Sequence, residues 1–185
     1  MSVALAAFLM VSAAGLPEVA NPGFEQISDQ TGAPERWSFT SLPGKPGLVR
    51  YSAVTPAAGR ESRALVITVA ANHPDQTVAY NAHQDVTGFA AGKTYRVSAN
   101  VQTKGLRSLP MIVVQCLDDS GKKPLAIARS TERKLDSDLD QWERVETDVT
   151  VPEGTSVFRL RIGIPSNGNA GGIALIDDIS ITEAE

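Results

Sequence analysis

Thr94-Tyr95-Arg96-Val97-Ser98-Ala99-Asn100-Val101-Gln102-Thr103 alternates apolar and polar side chains over its whole length. Successive side chains of a strand point to opposite faces. Tyr95, Val97, Ala99 and Val101 therefore turn one way and Arg96, Ser98, Asn100 and Gln102 the other, the pattern of an antiparallel strand with one wet face. Ser156 to Ile164 repeats it, with Phe158, Leu160, Ile162 and Ile164 opposed to Arg159, Arg161 and Gly163. Working outward, runs rich in Val, Ile and Thr read as strands near 37–40, 48–54, 64–70, 77–86, 111–117, 125–129, 141–151 and 172–182. Between them stand turns with a mechanism, such as Leu42-Pro43-Gly44, Asn72-His73-Pro74-Asp75, Asp118-Asp119-Ser120-Gly121 and Ser166-Asn167-Gly168-Asn169. Pro presets φ there, and Gly or Asn accepts the left-handed region. No sustained helical period and no long repeat is visible. Half-buried strands in this number are most simply satisfied by two antiparallel sheets packed face to face, an all-β jelly-roll β-sandwich, with barrel closure as the alternative.

Composition agrees. The chain has 185 residues, enough for one domain with a real core, and its 15 Gly and 11 Pro suit a turn-rich β protein. Seventeen basic against 21 acidic residues give a net charge of -4. Without a Lys/Arg run, that balance argues against nucleic acid or an anionic membrane as partner. Cys116 is the lone cysteine, so no internal disulfide or CxxC metal site can form. Val3 to Val11 is an apolar run of signal-peptide length, followed by the small residues Ser12-Ala13-Ala14-Gly15. Residues 1–15 are accordingly expected to be a signal peptide and 16–185 a single secreted or periplasmic domain without a transmembrane segment; a buried N-terminal strand is the competing reading.

Five motifs in order extend this reading. They are Asn21-Pro22-Gly23-Phe24-Glu25, Pro34-Glu35-Arg36-Trp37, Ala91-Gly92-Lys93-Thr94-Tyr95-Arg96-Val97-Ser98, Gln141-Trp142-Glu143-Arg144-Val145 leading to Val151-Pro152, and Ile173-Ala174-Leu175-Ile176-Asp177-Asp178-Ile179-Ser180-Ile181. Over about residues 21–182 the chain resembles the carbohydrate-binding modules of the CenC type, the grouping of families 4, 9, 16 and 22 in the galactose-binding-like superfamily. The resemblance implies a jelly roll that binds a glycan or polysaccharide in a cleft on one sheet, alone or as partner of a separate glycan-active enzyme. It also implies a structural calcium between Glu25 and Asp177, hard carboxylate donors that backbone carbonyls and water would supplement, with a carbonyl from the 59–63 loop. The competing reading pairs Glu25 with Arg63 or a backbone N–H.

For the ligand, sugars need aromatic faces and planar polar groups. Of ten aromatics, Phe24, Trp37, Trp142, Tyr95 and Phe158 are expected in the core, and Phe8 lies in the signal segment. Tyr80 is the best stacking candidate, although its parity matches Val78 and Val86 and core packing fits equally. Arg96, Ser98 and Asn100 with Gln115, Arg159 and Arg161 form a polar row that would bond hydroxyls or a uronic carboxylate. The ligand residues expected are thus Tyr80, Arg96, Asn100 and Arg161; the alternative makes this row a plain solvated face. Asp136-Ser137-Asp138-Leu139-Asp140 opens like an EF-hand loop but has Gln141 in place of Gly and Thr147 in place of the bidentate Glu, so it reads as a solvated loop. His73 and His83 lack a third ligand at metal spacing. No catalytic motif occurs, and Asp85, Glu132, Glu143 and Glu146 are generic carboxylates, so a non-enzymatic module is expected. A structural or protein-interaction sandwich without sugar ligand is the other function class.

Overall fold

The period-2 segments become ten strands in the computed structural model, which describes residues 16–40, 47–55, 62–74, 80–165 and 169–184. They are β1 (Ser38–Phe39), β2 (Val49–Val54), β3 (Ala64–Val69), β4 (Tyr80–Val86), β5 (Thr94–Lys104), β6 (Met111–Leu117), β7 (Pro124–Arg129), β8 (Leu139–Thr150), β9 (Val157–Ile164) and β10 (Ile173–Glu183). The expected signal segment 1–15 lies outside the described residues, as do the Leu42-Pro43-Gly44 turn and residues 59–61 of the 59–63 loop. No helix is long and apolar enough to cross a membrane among the described residues.

Two five-stranded antiparallel sheets form, ordered β1-β4-β9-β6-β7 (front) and β2-β3-β10-β5-β8 (back). The architecture is the jelly-roll sandwich, not a closed barrel. Inward positions of β9 (Phe158, Leu160, Ile162, Ile164) meet those of β5 (Val97, Val101) and β10 (Ala174, Ile176) in one apolar cluster. Each of these side chains larger than alanine contributes about 1.5–3 kcal/mol by leaving water. Phe24 and Trp37 join this core with ring centroids 5.3 Å apart, and the Trp37 indole N–H donates to the Asn21 carbonyl at 3.1 Å. Trp142, expected in the core, is only half-buried. It sits on β8, the edge strand of the back sheet, which is hydrogen-bonded to β5 alone among the named strands.

The first and last strands do not pair. β1 pairs with β4 in the front sheet, whereas β10 is central in the back sheet. The N-terminal motif reaches β10 through a bulge between Asp177 and Ser180. Asp178 there takes a left-handed φ of 53°, and the Ile179 N–H, turned out of the ladder, donates to the Pro22 carbonyl at 3.1 Å.

Candidate functional site

Register builds the outer face of the front sheet row by row. Asn81 of β4 pairs Gly163 of β9, which pairs Met111 of β6. One row further, Ser38, His83, Arg161, Val113 and Arg129 lie side by side across β1, β4, β9, β6 and β7. The next row holds Asp85, Arg159, Gln115 and Ile127. Antiparallel neighbours share a face, so these side chains project together, away from the core.

Arg161 is the centre of that surface. Its Nε donates to Gln115 Oε1 at 2.9 Å and its Nη1 to Asn81 Oδ1 at 3.2 Å, which fixes the guanidinium plane over the sheet. Beside it, Arg159 forks onto Asp85, Nε to Oδ1 at 2.6 Å and Nη2 to Oδ2 at 2.9 Å, and this bond holds the Asp85 carboxyl below its usual range. An open depression of about 360 Å³ is lined by Asn81, Met111, Val113, Arg129, Glu132 and Arg161, together with the end of β9. Its floor is apolar at Met111 and Val113 and its walls carry amide, guanidinium and carboxylate groups, a set able to face a sugar ring and bond its hydroxyls.

His83 lies in the Arg161 row with its Nδ1 buried and without a hydrogen-bond partner among the described residues. Burial, then the positive charges of Arg161 and Arg159, push its pKa down, against a smaller opposite pull from Asp85. The unfolded chain therefore takes up this proton first. Stability tied to His83 is complete above the unfolded value of about 6.5 and is lost as pH falls through it towards the folded value. Urea midpoints at about pH 7.5 and about pH 5.5 should show a drop that is smaller in His83→Gln; an equal drop in both proteins would refute the assignment.

The expected ligand residues do not converge. Tyr80 is a correction: it is 4% exposed, sits inward on β4 with Ala82 and Val86, and its hydroxyl is hydrogen-bonded to Nε2 of the buried His73. Strand parity decided for the core. Arg96 and Asn100 project from β5 in the back sheet, on the opposite side of the molecule from Arg161. Arg96 forks onto Asp148 at 2.8 Å, and Asn100 donates to Asp178 Oδ2 at 2.8 Å. Ser98, between them, is buried and bonded to Ser180 at 2.8 Å. The polar row thus divides, and only Gln115, Arg159 and Arg161 share the front face. Arg129, Glu132 and Asn81 complete it. Sequence spacing could not group them, because the grouping follows from β9 lying between β4 and β6. No described aromatic is exposed, and none lines the depression.

Glu25 and Asp177 both lie beside Gly23. A Cβ placed there would lie 3.7 Å from Asp177 Oδ1 and 4.0 Å from Glu25 Cγ. Asp177 is 1% exposed, and its Oδ1 accepts the Asp178 N–H at 2.8 Å. Glu25 Oε1 accepts the Arg63 N–H at 2.7 Å, while the Arg63 guanidinium donates to the Glu25 carbonyl at 2.8 Å. No cluster of three or more His, Cys, Asp or Glu side chains able to hold a metal occurs among the described residues. The EF-hand-like stretch is a loop running into β8, in which Asp138 Oδ1 accepts the Gly105 N–H at 2.6 Å.

No protein-family model and no curated protein matches the sequence. Solved structures do match in fold. The CBM22-2 xylan-binding domain from Paenibacillus barcinonensis Xyn10C superposes with a TM-score of 0.59 at 16% identity, covering 88% of this chain and 98% of that one. The Stig cyclase Fisc from Fischerella sp. TAU gives 0.64 at 12% identity, with 91% and 97% covered. The enzymatically active domain of bacteriophage CBA120 tailspike protein 4 gives 0.63 at 15% identity over 91% of this chain, which spans only 22% of that protein. At these identities the shared property is the jelly-roll β-sandwich fold.

Proposed function

We propose that this chain is a secreted, non-catalytic carbohydrate-binding module that holds a glycan on the outer face of its front sheet, in the depression beside Arg161. The observation that carries the reading is the convergence of three planar polar groups, Arg161, Gln115 and Asn81, next to the apolar floor of Met111 and Val113. The likeness of fold to a xylan-binding domain supports it. So does the supply of carboxylates: Asp85, Glu143 and Glu146 each pair with an arginine, which leaves Glu132 as the carboxylate lining the depression, where glycoside hydrolysis needs two across a cleft. Secretion rests on the apolar run and small-residue stretch of 3–15. A separate glycan-active enzyme is the partner such a module would serve. Of the expected ligand residues, Arg161 belongs to this reading; Tyr80, Arg96 and Asn100 are assigned to packing and to the back sheet.

The absence of an exposed described aromatic favours the second reading, a sandwich whose partner is protein. A glycan array followed by calorimetry on the best hit separates the two. Binding that weakens at least about tenfold in Gln115→Ala, which frees the Arg161 plane, supports the module, since tenfold corresponds to about 1.4 kcal/mol, one hydrogen bond to a charged group. No binding across the array defeats it.

The same proposal includes a structural calcium at Glu25 and Asp177. Their donors are hard oxygens, as Ca²⁺ requires, and they flank one glycine; further ligands would be backbone carbonyls and water.

A further inference from the structure

We infer that the glycan is acidic, its uronate carboxylate held between Arg161 and Arg129; this rests on the carbohydrate reading above. The reason is an unmatched charge. Arg96, Arg133, Arg144 and Arg159 each pair with a carboxylate of the protein. Arg161 is half-buried, yet its two hydrogen-bond partners are neutral amides. They orient the fork, form no ion pair with it and leave Nη2 without a partner among the described residues; the acid that acts on it through space, Asp85, is already gripped by Arg159. A guanidinium partly removed from water in this way is best satisfied by an anion that its planar donors can grip.

Arg129 supplies the second cation. It stands in the same row, separated from Arg161 only by Val113, and is exposed with no ion pair among the described residues. Two strand spacings separate the two positions, about 10 Å, within reach of two long side chains leaning towards one group above Val113. Met111 and Val113 offer an apolar floor to the C–H face of the ring. Glu132 is the acid in the lining. It repels a carboxylate and accepts from hydroxyls, so it orients the sugar with its acid group towards the arginines. In keeping with these contacts, burial and then the neighbouring Arg159 disfavour the charge on Arg161, and burial, Arg161 and Arg159 disfavour a proton on His83, in each case against a smaller opposite pull from Asp85.

Calorimetry with an oligogalacturonate, an oligoglucuronate and the carboxyl-reduced neutral form of each, on the full chain, tests this. At least one acid should bind ten-fold or more tighter than its reduced form, with the advantage shrinking as salt is raised. Arg129→Gln, an exposed substitution, should remove most of that ratio, and Arg96→Gln on the back sheet should leave it intact. Equal binding of acid and reduced forms, binding of neutral sugars alone, or a ratio sensitive to Arg96 but not to Arg129 overturns the acidic ligand and leaves the carbohydrate reading standing. Failure of every acidic and neutral oligosaccharide to bind overturns both.

Discussion

Gly163→Ala should destabilise the protein by about 3 kcal/mol or more, the upper end of what overpacking a sheet costs. A Cβ at this position would lie 2.0 Å from the Tyr80 carbonyl oxygen, 2.6 Å from Asn81 Cα and 2.9 Å from Asn81 Cβ. Two of those three atoms are backbone, so no rotamer change makes room. β4 must move away from β9, and the ladder from Tyr80–Ile164 to Val86–Phe158 must open at that end. Gly92 makes the useful contrast. Its φ of 78° strains any substitution, but nothing lies within 4 Å of its Cβ, so Gly92→Ala should cost only about 1–2 kcal/mol from the left-handed backbone. For a domain of this size 1 kcal/mol is about 2–4 °C of melting temperature, so Gly163→Ala should melt about 6–12 °C lower. A shift under about 2 °C, or one no larger than that of Gly92→Ala, would contradict the packing argument. Because Asn81 faces Gly163 in the ladder and accepts from Arg161, whatever Gly163→Ala protein stays folded should also bind glycan more weakly.

The strands were readable because alternation is local. Every segment from 94–103 outward states which of its own residues face inward, and the strand positions in the sequence coincide with β1 to β10 to within three residues wherever they are described. Alternation says nothing about which strand lies alongside. Arg96 and Arg161 carry the same signature, a cation on the wet side of an amphipathic strand, and only the pairing of β9 with β4 and β6, and of β5 with β10 and β8, sends them to opposite sides. Arg129 was invisible for the same reason, since its place beside Val113 exists only once β7 is in register. Tyr80 failed differently: parity already grouped it with Val86, and the expectation of a stacking ring gave way to burial of a large apolar surface plus a hydroxyl satisfied by His73. The resemblance puts Glu25 near Asp177, and what the structure adds is that the 21–25 segment reaches β10 by docking on its bulge and not by pairing of the terminal strands.

That docking sets the last expected result: calcium should raise the melting temperature and a chelator should lower it. A ligand that binds only the folded chain adds RT ln(1 + [L]/Kd), about 2.7 kcal/mol at a hundredfold excess over Kd, or about 5–10 °C here. Binding is confined to the folded chain because Glu25 and Asp177 are 152 positions apart and come together only when Pro22 accepts the Ile179 N–H. Asp177→Asn keeps the size and an acceptor for the Asp178 N–H but loses the charge; Glu25→Gln does the same on the other side. Each variant should therefore melt at the same temperature with calcium and with chelator, whatever its own baseline. The competing arrangement, in which Arg63 takes the place of the ion through its N–H and guanidinium bonds to Glu25, predicts a different outcome. Wild-type melting would then be indifferent to chelation, while Arg63→Ala would lower it. A chelator-insensitive wild type removes calcium from this site, and a chelator effect that survives in Asp177→Asn places the ion elsewhere.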